Sequence, residues 1–65
     1  MVKRYHFVIG VRHLARTIKV YKNLGSAYKA AIMSLNDPAT KNNELIRIFE
    51  VFNGIKKMVY SKRKK

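Results

Sequence analysis

The chain has 65 residues, with 15 Lys plus Arg against 3 Asp plus Glu, and a formal charge of +12 at pH 7. There is no cysteine, which excludes a disulfide framework and a thiolate zinc site, and the charge excludes an acidic nucleic-acid mimic. At 48% hydrophobic and 11% aromatic residues the chain is too apolar for a disordered basic tail, yet no apolar run approaches the roughly 18 residues of a membrane-spanning helix.

Residues 4–11 alternate. Tyr5, Phe7, Ile9 and Val11 fall on one side, and Arg4, His6, Val8 and Gly10 on the other. Period two with aromatic and branched residues predicts a half-buried strand. The apolar run Phe7-Val8-Ile9 stops at Gly10, too short for a secretory signal, so the expected localisation is cytoplasmic, with nuclear or host-cell cytoplasm as variants, and not secreted. Residues 16–22 predict a second strand, with Ile18 and Val20 on one side and Thr17, Lys19 and Tyr21 on the other. The intervening Arg12-His13-Leu14-Ala15 is short enough for a hairpin loop. Pairing Val11 with Arg16 sets Ile9 opposite Ile18, Phe7 opposite Val20 and Tyr5 opposite Lys22 on an apolar face. The same register sets His6 opposite Tyr21 and Val8 opposite Lys19 on a mostly polar face.

Asn23-Leu24-Gly25-Ser26 ends the strand, and Ser26 is the expected helix N-cap. Ala27, Tyr28, Ala31, Ile32 and Leu35 then recur at helical spacing and form one stripe. Pro38 disfavours helical geometry at Asp37, so the helix should end there. Residues 37–43 read as a polar loop.

Residues 44–62 admit two readings. As strands, Leu45–Phe52 and Ile55–Lys62 flank Asn53-Gly54, a strong hairpin signal because both residues tolerate positive φ. The two-residue turn then pairs Phe52 with Ile55, Glu50 with Lys57, Phe49 with Met58, Ile48 with Val59 and Arg47 with Tyr60. As a helix, Leu45, Ile48, Phe49, Phe52, Ile55 and Val59 also form a stripe, but Gly54 would sit mid-helix at a cost of about 1 kcal/mol against Ala. The β-branched and aromatic content and the Asn-Gly turn favour strands. The expected fold is therefore α+β: a small two-layer β-β-α-β-β domain, two antiparallel hairpins with one helix packed on one sheet face. The alternative is a β-hairpin followed by two helices. Residues 1–61 form the single domain and residues 62–65 a basic C-terminal tail.

Catalysis has little to work with. Asp37, Glu44 and Glu50 are the carboxylates, too few for a two-metal site, and no metal or other cofactor is expected. His6 and His13 could act as acid and base in metal-free RNA cleavage, but the first falls within a strand and the second in a loop. Gly25 precedes the helix, where a phosphate could rest on the amides of Ser26 and Ala27; a simply capped helix is the plainer account.

Binding is better supported. In the second hairpin one face interleaves basic and aromatic groups: Leu45, Arg47, Phe49, Val51, Lys56, Met58 and Tyr60. Rings can stack on bases while Lys and Arg neutralise phosphates. Arg12 and Arg16 flank the first hairpin loop, and Lys56 and Lys57 follow the second turn, so side-by-side hairpins would form a basic rim. The candidate nucleic-acid-binding residues are Arg12, Arg16, Lys19, Tyr21, Arg47, Lys56, Lys57, Tyr60, Lys62 and Arg63.

The leading expectation is thus a non-enzymatic nucleic-acid-binding protein, for DNA or RNA, that contacts phosphates through its hairpin turns and tail. An alternative is a small viral or mobile-element protein that inhibits a host protein through an acidic groove. A third is a His-dependent RNase toxin. At this length burial and chain ordering nearly cancel, so a partner or a homodimer would add stability. Size and charge are similar to those of small ribosomal and phage proteins, a similarity of type from which no residue roles follow.

Overall fold

In the computed structural model, which describes residues 3–10 and 12–64, the alternating segments are strands and the alanine-rich segment is a helix. In chain order these are β1 (Arg4–Ile9), β2 (Arg16–Tyr21), α1 (Leu24–Asn36), β3 (Leu45–Phe52) and β4 (Ile55–Arg63), with a 3-10 turn over Arg12–Leu14. The strands form a four-stranded antiparallel sheet in the order β2-β1-β3-β4, with α1 packed against β3, β1 and β2 on one face. This is the expected α+β arrangement, and the hairpin reading of residues 44–62 holds over the helical one.

The core lies where the two central strands meet the helix. Phe7 of β1 and Ile46 and Ile48 of β3 are buried beneath Ala27 and Ala31 of α1. Alanines at these two positions carry no bulk beyond Cβ, so the helix backbone can approach the sheet closely and seal its middle. Tyr5, Ile9, Tyr21, Leu35 and Tyr60 complete the rim of this core. The helix begins earlier than expected. Asn23, not Ser26, is the N-cap, and its Oδ1 accepts the Ser26 amide at 2.8 Å. It ends at Asn36, as Pro38 requires.

Two turns depend on glycine. Asn53 (φ 53°) and Gly54 (φ 77°) both occupy the left-handed region, as a tight two-residue hairpin demands. Gly10 (φ 112°) lets the chain fold back on itself; a Cβ there would stand 2.7 Å from the Leu14 carbonyl oxygen.

Each outer strand carries a bulge, and each bulge changes a face. In β2, Phe7 pairs with Lys19 but Val8 pairs with Thr17, so Ile18 is the extra residue. The expected register, with Ile9 opposite Ile18 and Phe7 opposite Val20, is corrected: on the turn side Ile9 pairs with Arg16, two residues off, and beyond the bulge Phe7 pairs with Lys19, one residue off. Val20 instead pairs with His6 on the face away from the helix, and Ile18 and Val20 are 47% and 45% exposed. In β4 the turn-proximal pairs Phe52–Ile55, Glu50–Lys57 and Phe49–Met58 form as expected. Val59 is then extra, so Ile48 pairs with Tyr60 and Arg47 with Ser61. Outer strands are bonded on one side only, so an added residue disturbs a single ladder while raising the local twist.

The expected tail is also corrected. β4 runs through Lys62 and Arg63, and Lys64 is buried, with its backbone amide donating to the Glu44 carbonyl at 2.8 Å. Residues 62–64 therefore belong to the folded domain.

Candidate nucleic-acid interface

Directly opposed residues of an antiparallel pair share a face. The register therefore assigns Arg4, His6 and Val8 of β1 to the face opposite α1, together with Leu45, Arg47, Phe49 and Val51 of β3. Lys56, Met58, Ser61 and Arg63 of β4 join them, as do Thr17 and Val20 of β2. No helix covers this open face.

Phe49 stands near its centre, with His6 opposite on β1 and Met58 opposite on β4. Two cations address its ring: Lys56 Nζ lies 4.7 Å from the centroid and Arg47 Cζ 5.3 Å. A cation over a ring face is drawn to the negative side of the aromatic quadrupole. Arg47 is held in place at its other end, where Nη2 donates to the Gly10 carbonyl at 2.9 Å. Its Nε is buried with no acceptor, which leaves the guanidinium short of a partner.

The carboxylates all lie elsewhere. Asp37 caps the C-terminus of α1, Glu44 stands beside Ile9 and Arg16 in the loop region, and Glu50 is on the helix side. Glu50 Oε1 lies 3.7 Å from Lys3 Nζ, and its Oε2 accepts from the Tyr5 hydroxyl at 3.5 Å. Among the described residues the open face thus carries Arg4, Arg47, Lys56 and Arg63 and no acid.

Of the residues named from sequence, the fold brings Arg47, Lys56 and Arg63 to this face. It does not bring the others there. Arg16 pairs with Ile9 and Lys19 with Phe7, so both project from the helix side at the β2 edge. Tyr21 pairs with Tyr5 and packs against the core, and Lys57 pairs with Glu50 on the same side. Tyr60, expected beside Arg47, is turned to the helix side by the Val59 bulge, where its ring meets Tyr28 edge-on at 4.8 Å. Lys62 pairs with Ile46 on that side too. The side chain of Arg12 lies outside the described residues.

The expected basic rim is not formed. Because β1 and β3 are antiparallel, Ile9 lies beside Ile46 at the start of β3 while Arg4 lies beside Val51 near its end. The turn after β1 and the turn after β3 therefore sit at opposite ends of the sheet. Arg4, absent from the sequence-derived set, was detectable: it shares the strand parity of His6, already assigned to the open face.

The two histidines are not brought together. His6 is in mid-strand, whereas His13 lies beyond Gly10, and the three residue steps from His6 to Ile9 alone span about 10 Å. Among the described residues no group of three or more His, Cys, Asp or Glu could hold a metal. No protein-family model, curated protein or solved structure matches the chain.

Proposed function

We propose that the protein is a non-enzymatic nucleic-acid-binding module that lays a single strand across the open face of its sheet. The observation that carries this reading is Phe49 bracketed by Lys56 and Arg47 on a face with Arg4 and Arg63 and, among the described residues, no carboxylate. A base stacked on Phe49 takes the place of the Lys56 ammonium, which then moves to the adjoining phosphate.

Shape supports a single strand over a duplex. Four strand axes span about 14 Å, wider than the roughly 12 Å major groove, which admits a helix or a two-stranded ribbon. An unpaired strand instead presents base faces that an aromatic ring accepts without regard to sequence.

The test is fluorescence anisotropy with labelled single-stranded DNA, duplex DNA and a structured RNA over a tenfold range of salt. Tighter binding of the single strand at physiological salt, lost in Phe49→Ala, is the expected result. Equal binding of all three polymers that disappears as salt rises would reduce the +12 charge to a generic attraction and end the proposal.

A further inference from the structure

The opposite side of the molecule carries a second surface. The helix packs on β3, β1 and β2, which leaves the helix side of β4 beside it incompletely covered. Between them runs a groove of about 460 Å³, lined by Tyr28, Ile32 and Leu35 of α1 and by Tyr60, Lys62 and Arg63 of β4. Tyr28 and Ile32 remain 44% and 43% exposed on a helix that has the rest of the sheet available for burial. Leu24, at the same i, i+4 spacing, extends this exposed row toward the helix N-terminus.

We infer that this groove binds an acidic segment of a partner protein that carries aliphatic anchors. The inference uses the side of the sheet opposite the nucleic-acid reading and shares with it only Arg63, at the end of the edge strand. Charge complementarity selects the occupant. The apolar floor is rimmed by Lys62 and Arg63, and the single salt bridge among the described residues joins Lys3 to Glu50, which leaves Lys62 without a carboxylate. A second copy of the chain is disfavoured, because an isologous contact would set Lys62 and Arg63 near their own counterparts on molecules that each carry +12. A nucleic acid is disfavoured because Tyr28 and Tyr60 meet edge-to-face at 72°, so their rings are engaged with each other. The remaining floor, Ile32 and Leu35, is aliphatic and suits a Leu or Ile side chain better than a base.

The experiment uses the full chain and a fluorescein-labelled dodecapeptide rich in Asp and Glu with leucines at every fourth position. Amide shifts mapped by NMR should change along α1 and β4 and leave the Phe49 face unmoved. Replacing the peptide leucines by serine should weaken binding roughly tenfold or more, since the buried apolar area is lost. Ile32→Glu should weaken it by at least about as much, and Lys62→Glu, a surface change that leaves the apolar floor intact, by several-fold. Equal binding of the leucine and serine peptides would overturn the inference by reducing it to charge. So would unchanged affinity in both variants, amide shifts confined to the open face, displacement of the peptide by single-stranded DNA from the groove itself, or concentration-dependent dimerisation that buries the groove.

Discussion

The ammonium of Lys64 donates to the backbone carbonyl of Thr40 at 2.6 Å and also to that of Asp37. At 8% exposure this is a nearly buried cation with, among the described residues, no carboxylate against it, held by the Asp37 carbonyl at the C-cap of α1 and the Thr40 carbonyl in the loop that follows. Its backbone adds to the attachment, since the Lys64 carbonyl accepts the Asn43 amide at 2.7 Å. Lys64 thus ties the loop after the helix to the end of β4. Lys64→Met should lower stability by about 1–3 kcal/mol in urea denaturation while leaving single-strand affinity at fixed salt nearly unchanged. A residue acting as a mobile phosphate-binding tail would give the reverse pattern.

The two turn glycines should respond very differently to alanine. At Gly54 the φ of 77° is strained for a side chain, but no atom lies within 4 Å of a new Cβ, so Gly54→Ala should cost about 1 kcal/mol. At Gly10 the φ of 112° is compounded by the contact at 2.7 Å with the Leu14 carbonyl. Gly10→Ala should cost roughly 3 kcal/mol or more and shift the whole thermal transition down. Equal melting temperatures for the two variants would refute this difference.

Salt dependence should separate the two sides of the sheet. Lys56→Gln or Arg47→Gln, on the open face, should each reduce the slope of log affinity against log salt by about 0.7 for a single strand. Lys57→Gln, whose residue pairs with Glu50 on the helix side, should leave that slope unchanged. Phe49→Ala should weaken binding by about 1–3 kcal/mol with the slope preserved, because stacking releases no counterions.

Tyr60 should lend the fold an alkaline limit. Burial raises its phenol above the usual 10.0, and a phenolate at neighbouring Tyr28 would raise it further. The native state therefore holds this proton more tightly than the unfolded chain. The resulting stability is complete below the unfolded value near 10 and is lost as pH rises through the folded one. Urea denaturation from pH 9 to 11.5 should show this decline, and Tyr60→Phe should remove that component.

Much of the architecture was legible because local chemistry and long-range pattern agree. Asn53-Gly54 can adopt the backbone a two-residue hairpin needs, so the turn and the first pairs beside it, Phe52–Ile55 through Phe49–Met58, follow directly. Pro38 stops the helix, and the alternation from Tyr5 to Ile9 assigns the inner face of β1. The interleaved set on β3 and β4 was also readable, as far as Met58. Beyond Met58, one extra residue reverses the parity, and Tyr60 faces the helix instead of Arg47.

The sequence by itself determined the element order, the two hairpins, the helix between them and the excess of cations over acids, because these depend on neighbours a few residues apart. Only the tertiary structure decided which side chains share a face. Ile18 and Val59 are branched apolar residues that suit a regular strand as well as a bulge, so nothing local marks them. Their bulges arise where outer strands must twist over a sheet bonded on one edge, and that demand is set by the packing of β1 and β3 beneath α1. The same packing separates the two hairpin turns, gathers Arg47, Phe49 and Lys56 into one cluster, and draws Lys64 out of solvent into the carbonyls at the end of the helix.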